Sequence, residues 1–126
     1  MSHEIELKLA LPQRALAALR RHALVAAAQK LGTTTTLDNT YFDTPSLALK
    51  ARKVAVRTRR QGRQMLQTVK CAAISSGGLS SRPEWEQPWT GAFDFSMVDE
   101  PEAARLLARH QDELVPVFTT RFRRET

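Results

Sequence analysis

The feature that most constrains this chain is a two-residue period that keeps charges on one side. His3 to Leu11 reads HEIELKLAL and alternates without a break. Successive strand side chains point to opposite faces, so Ile5, Leu7, Leu9 and Leu11 share one face, and Glu4, Glu6, Lys8 and Ala10 the other. The same pattern returns in later segments. In Lys53 to Arg60, Arg57 and Arg59 oppose Val54, Val56 and Thr58. In Gln64 to Cys71, Leu66, Thr68 and Lys70 align, and from Arg82 to Trp89, Arg82, Glu84 and Glu86 align. Strands of this kind build a sheet with one face bearing charges of both signs. A solvated outer face has that pattern, and so does a concave face that grips an anion.

The remaining elements follow from turn and cap chemistry. Pro12 fits the first turn of a helix over Gln13 to His22, and Gly32 ends whatever precedes it. Thr33 to Asp43 is β-branched and then aromatic, a strand running into the turn Asp43-Thr44-Pro45. Ser46 to Lys50 holds one helical turn, and Gly62 marks a hairpin between the next two strands. Ser75 to Ser81 (SSGGLSS) reads as a flexible loop. Pro83 and Pro88 push the strand Arg82 to Trp89 toward a sheet edge or shorten it. Asp99 caps an amphipathic helix to Gln111, with Leu106 and Leu107 inward, and Val115 to Arg124 is a last strand. Strands without a βαβ rhythm predict an α+β fold with an antiparallel sheet or barrel.

Composition narrows the function classes. The 126 residues fit one domain, residues 1–126, and 42% hydrophobic content supplies one core. Cys71 stands alone, which excludes an intrachain disulfide framework and a cysteine-cluster zinc site. No apolar run reaches a membrane span, and the N-terminus lacks the basic start of a secretory signal, so a cytoplasmic protein with no membrane partner is expected. A net charge of +6 points to an anionic partner. Nucleic acid is the weaker choice. Aromatics are only 6% and do not interleave with the basic residues, and the arginines share strands with glutamates.

Several short motifs then occur in order: Glu4-Ile5-Glu6-Leu7-Lys8, Tyr41-Phe42-Asp43-Thr44-Pro45, Val56-Arg57-Thr58-Arg59, Thr68-Val69-Lys70, Gly77-Gly78-Leu79, Arg82-Pro83-Glu84 and Phe118-Thr119-Thr120 leading to Arg124. Together they resemble the CYTH superfamily, the triphosphate tunnel metalloenzymes, and most closely its bacterial inorganic triphosphatases. The resemblance implies an antiparallel β-barrel with flanking helices, whose lumen binds inorganic triphosphate or a nucleoside triphosphate with Mg²⁺ or Mn²⁺. By this resemblance Glu4, Glu6 and Glu84 are metal ligands. Lys8, Arg57, Arg59, Lys70, Arg82 and Arg124 contact phosphate oxygens, and Glu4, Glu6 and Lys8 form the catalytic set. The reaction implied is metal-assisted hydrolysis, which needs positioning and charge rather than a side-chain nucleophile.

Two departures qualify the match. The family's barrel continues with a further acidic strand, whereas this sequence stops one strand after the Arg82-Pro83-Glu84 segment, as a fragment or a shortened member. The barrel is therefore expected to be incomplete, with little turnover and a homodimer formed through the late strands. Alternation also sets Arg124 apart from Arg121 and Arg123, so either a bulge re-aims the last strand or one of the latter faces the lumen; motif spacing selects Arg124. Three other functions compete: a non-catalytic polyphosphate- or nucleotide-binding module, an adenylate cyclase of the same superfamily, and a nucleic-acid binder.

Overall fold

The computed structural model describes residues 2–72 and 74–126. In these residues seven strands form one sheet: β1 (Ser2–Leu7), β2 (Thr35–Asp43), β3 (Ala55–Gln61), β4 (Gln64–Lys70), β5 (Ile74–Ser76), β6 (Leu79–Pro88) and β7 (Val115–Arg124). The lateral order is β1-β6-β4-β3-β2-β7, with β5 also on β6, and every pairing is antiparallel. The helices are short: α1 (Leu16–Arg21), α2 (Ala23–Ala26), α3 (Ala48–Ala51) and α4 (Pro101–His110). The architecture is α+β, and the sheet is not closed: β1 and β7 end the main strand order, and β5 pairs only with β6. No helix among the described residues is long and apolar enough to cross a membrane.

Strand register divides the sheet into two unlike faces. Val56, Val69 and Trp85 stand in one row across β3, β4 and β6. Against them pack Leu49, Val54, Val98, and Ala103 and Leu107 of α4. Full burial of a side chain such as Leu107 contributes about 1.5–3 kcal/mol, so this row anchors the sheet. Polar ties hold the cover in place: Trp85 Nε1 donates to Asp99 Oδ1 at 2.9 Å, and Asp94 N donates to Gln67 Oε1 at 3.0 Å. The opposite face is left for the charges.

Local structure departs from the sequence reading at several points. β1 ends at Leu7 rather than Leu11. The first helix opens with a 3-10 turn (Gln13–Ala15) and breaks at His22, whose Nδ1 accepts from Leu24 N at 3.3 Å and starts α2. Glu100, not Asp99, caps α4: its carboxylate accepts from Ala103 N at 2.7 Å, and Pro101 follows in the first turn. Asp99 is instead the acceptor for Trp85. SSGGLSS is a hairpin turn, with Gly77 and Gly78 at positive φ between β5 and β6. β6 is an interior strand despite its prolines. Pro83 lies where β4 has ended, with Lys70 opposite Glu84, and β5 has not begun, with Ile74 opposite Ser81. A missing N–H is tolerated at such an interruption.

Candidate anion-binding site

The charged face is assembled by register. Across β7, β2, β3, β4 and β6 run Phe118, Tyr41, Arg57, Thr68 and Glu86, each opposite the next. Toward one end of this row lie Thr120, Asn39 and Arg59. Toward the other, Lys70 faces Glu84, Glu84 faces Ser2, and Arg82 faces Glu4. β-Strand alternation thus brings residues from both halves of the chain onto one surface.

Burial separates this surface from an ordinary solvated face. Arg57, Arg59 and Lys70 are each only 8% exposed. Long cations rarely become so buried unless they are paired. Lys70 is paired: its Nζ donates to Glu4 Oε2 at 2.6 Å, and Arg82 Nε reaches the same oxygen at 3.3 Å. Arg59 Nε donates to Asn39 Oδ1 at 2.7 Å. Arg57 Nε is buried and, among the described residues, has no hydrogen-bond partner. Leaving a buried donor unmade costs about 1–3 kcal/mol, and more for a charged group.

Electrostatics reflect this crowding. Burial pushes the Arg59 guanidinium down from its ordinary value, and the nearby cations Arg57 and Arg124 push it further, against Glu86 and Tyr41. Burial pushes the Glu84 carboxyl up; Lys70 opposes this, while Glu4 and Glu86 add to it. Burial also acts upward on Glu4, but hydrogen bonds and charge from Lys70, then Arg82, outweigh it and lower the carboxyl. An entering anion would meet cations that the resident carboxylates only partly neutralise.

A cavity of about 270 Å³ opens on this face, lined by Tyr41, Ala55, Arg57, Thr68, Lys70, Arg82, Phe118 and Thr120. It falls just below the ~300–1,000 Å³ of sites for drug-sized ligands and suits a compact anion. Tyr41 and Phe118 stack along it with ring centroids 4.5 Å apart. A larger cavity of about 630 Å³ lies by α4, lined in part by Arg52, Cys71, Arg105 and Arg109. Those arginines are exposed, and no buried side-chain atom described there lacks a partner. The smaller cavity is the better candidate.

The site residues expected from sequence fall into two groups. Glu4, Lys70 and Arg82 form one contact cluster, with Arg57 and Glu84 beside it. Arg124 lies opposite Thr35 on the Thr120–Phe122 face, close enough to depress Arg59, and its guanidinium sits 5.6 Å from the Phe122 ring centroid. No bulge is needed between Phe118 and Arg124 for this: the register shift in β7 falls between Pro116 and Phe118, opposite Tyr41 and Phe42, and Arg121 turns the other way to Asp38 at 3.1 Å. Glu6 and Lys8 are not in the cluster. They pair with each other at 3.5 Å, and Lys8 lies beyond the end of β1, largely exposed. Sequence reasoning passed over Asn39, Thr120 and Glu86. Glu86 accepts from Thr68 Oγ1 at 3.1 Å, and its alignment with Arg82 and Glu84 was a usable signal. Thr120 stands in the Phe118-Thr119-Thr120 motif, but neither it nor Asn39 carries a local sign of its partner, which lies 81 positions away.

A divalent cation does not find a complete shell here. Among the described residues no three His, Cys, Asp or Glu side chains converge to hold one. Glu4 Oε2 is taken by Lys70 and Arg82, and Glu6 by Lys8. Mg²⁺ usually keeps near-octahedral oxygen ligation, which Glu84 with an engaged Glu4 does not supply. The set Glu4, Glu6 and Glu84 is therefore not assembled as a metal site by these residues alone.

The solved structures that resemble this chain share its fold. HpAC1 from Hippeastrum, described as a candidate adenylyl cyclase with a dominant triphosphatase activity, superposes with a TM-score of 0.63 at 20% identity, covering 96% of this chain and 63% of that one. A candidate adenylate cyclase from Bacillus halodurans gives a TM-score of 0.62 at 19% identity, covering 97% and 63%. PH1819 from Pyrococcus horikoshii gives 0.50 at 20% identity, covering 77% and 51%. The chain thus spans less than two thirds of the length of each. Among curated proteins no relative matches. The CYTH domain model matches residues 2–126, and with that match the chain belongs to the CYTH domain family.

Proposed function

We propose that the charged face binds the phosphate chain of inorganic triphosphate and serves hydrolysis of its terminal phosphoanhydride. The observation that carries this reading is Arg57 Nε, a buried charged donor with no partner described, on a residue that lines a cavity together with Lys70 and Arg82. A polyphosphate oxygen would complete it with a charge-assisted hydrogen bond. Membership in the CYTH family, with a fold neighbour described as having triphosphatase activity, supports the substrate class. The chain's own contribution is positioning and charge: Arg57, Arg59, Lys70 and Arg82 spread over the phosphate oxygens and offset charge that builds up on the transferred group. Mg²⁺ or Mn²⁺ is the cation implied for the family, but the described carboxylates do not complete its shell.

A nucleoside triphosphate is the second reading, favoured by the stacked Tyr41–Phe118 pair beside the cations. Calorimetric titration of triphosphate and ATP into the protein and its Arg57→Ala variant, together with a phosphate-release assay, tests both. The primary reading expects tighter binding of triphosphate than of ATP and a loss of at least about tenfold in Arg57→Ala, equivalent to 1.4 kcal/mol. Equal affinity in the two proteins would remove Arg57 from the site.

A further inference from the structure

Arg57 and Arg59 lie two residues apart on β3 and are equally buried, yet they are held differently. Arg59 Nε donates to Asn39 Oδ1 at 2.7 Å, and Asn39 Nδ2 donates to Thr120 Oγ1 at 3.0 Å. Asn39 is 1% exposed. Thr120, Asn39 and Arg59 stand opposite one another on β7, β2 and β3, so a single amide links the edge strand to a buried cation two strands in. Arg57 Nε has no such partner described.

The chemistry of the amide fixes its orientation. A guanidinium only donates, so Asn39 must turn its oxygen to Arg59 and its NH₂ to the threonine hydroxyl. With Nε occupied, Arg59 keeps its two terminal nitrogens for a ligand, whereas Arg57 still offers its Nε side. We infer that Asn39 is a positioning residue that holds Arg59 with its Nη end toward the phosphate chain, leaving Arg57 to bind through its Nε edge. Asparagine suits this task better than its near-isostere. Aspartate would hold the same nitrogen but add a negative charge, pairing with Arg59 and competing with phosphate for it. Alanine would leave the guanidinium free to rotate and its Nε unpaired. The inference rests on the triphosphate reading of the site, and goes beyond it in dividing the two arginines by the edge each presents.

Two measurements on the full chain test it. The first needs no ligand: proton exchange at the arginine Nε–H groups, followed by ¹⁵N NMR. Arg59 Nε–H is expected to exchange more slowly than Arg57 Nε–H, and Asn39→Ala should abolish the difference. The second is triphosphate calorimetry at two salt concentrations. Asn39→Ala should weaken binding about tenfold while keeping the salt dependence, because no charge has changed. Asn39→Asp should weaken it further and flatten the salt dependence, because one cation has been neutralised. Thr120→Val, at an exposed position that spares the fold, should show a smaller loss of the same kind as Asn39→Ala. Equal exchange at the two arginines of the unsubstituted protein would overturn the inference. So would identical losses and salt dependences for Asn39→Ala and Asn39→Asp, which would mark Asn39 as structural only. If the unsubstituted protein bound no triphosphate, the site reading and the phosphate half of the inference would both fall, while slow Arg59 exchange would still establish the Asn39 clamp.

Discussion

Lys70 Nζ donates to Glu4 Oε2 at 2.6 Å, tying β4 to the edge strand β1 across β6. The pair is half-closed to solvent, and Arg82 shares the same oxygen. A carboxylate in this position does two things. It stabilises a buried lysine and a part-buried arginine in the absence of ligand, and it competes with any anion that needs them.

Replacing Glu4 should therefore separate those two roles. In Glu4→Gln, Lys70 and Arg82 are released while the side-chain volume stays. Metal-free triphosphate binding is expected to tighten by about threefold to tenfold, because a like charge has been removed from beside the ligand. Calorimetry in the presence of a chelator reads this directly. Weaker binding would show that Glu4 orients the cations rather than opposing the anion.

The two glutamates with shifted pKa values act in opposite directions on stability. Glu84 is raised, chiefly by burial, so the folded state holds its proton more firmly than the unfolded state does. Its contribution is full below the ordinary glutamate value of about 4.3 and is lost as pH rises through the raised folded value. Glu4 is lowered, so its contribution is present above the ordinary value and fades as pH falls through the lowered one. Urea midpoints across this range should fall less with rising pH in Glu84→Gln than in the unsubstituted protein. A parallel pair of curves would contradict the assignment.

Asp43 supports the site from outside it. The residue is 5% exposed, its Oδ1 accepts from Thr44 N at 2.7 Å and Leu49 N at 2.9 Å, and its Oδ2 accepts from Lys50 N at 3.0 Å. These bonds fold the Thr44–Ala51 segment back onto β2 and set Leu49 in the core. Asp43→Ala leaves several backbone donors unmade and should cost about 2–4 kcal/mol in chemical denaturation. Triphosphate affinity of the folded fraction should be unchanged, since Asp43 does not line the anion cavity.

Gly78 is a second remote support. Its φ is +85°, and a Cβ there would lie 2.7 Å from the Lys8 backbone oxygen. Its carbonyl accepts from Lys8 N at 3.0 Å, just past the last rung between β1 and β6. Gly78→Ala should destabilise by about 1–3 kcal/mol through strain and backbone clash. Amide exchange should accelerate in β1 and leave β3 and β4 unaffected.

Alternation read along single strands located the charged face, because register only multiplies a period already present in each segment. Arg57 with Arg59, Thr68 with Lys70, and Arg82 with Glu84 all emerge on the faces their spacing requires. What could not be read locally is which partner each side chain meets. Glu4 finds Lys70 across 66 positions, and Asn39 finds Thr120 across 81. Lys8 continues the alternation of β1 in sequence, but the strand ends before it, and where a strand stops depends on its neighbours. The prolines of β6 misled because tolerance of a missing N–H depends on where the neighbouring strands stop, which the sequence of β6 alone does not contain.

A site for a chain of phosphates and a diffuse basic surface differ in how affinity grows with phosphate number. Calorimetry with phosphate, diphosphate and triphosphate, each at two salt concentrations, tests this most directly. Convergent cations on Arg57, Arg59, Lys70 and Arg82 predict affinity that climbs steeply with phosphate number, weakens with salt and falls in Arg57→Ala. Equal affinity for the three anions, unchanged in Arg57→Ala, would contradict the account.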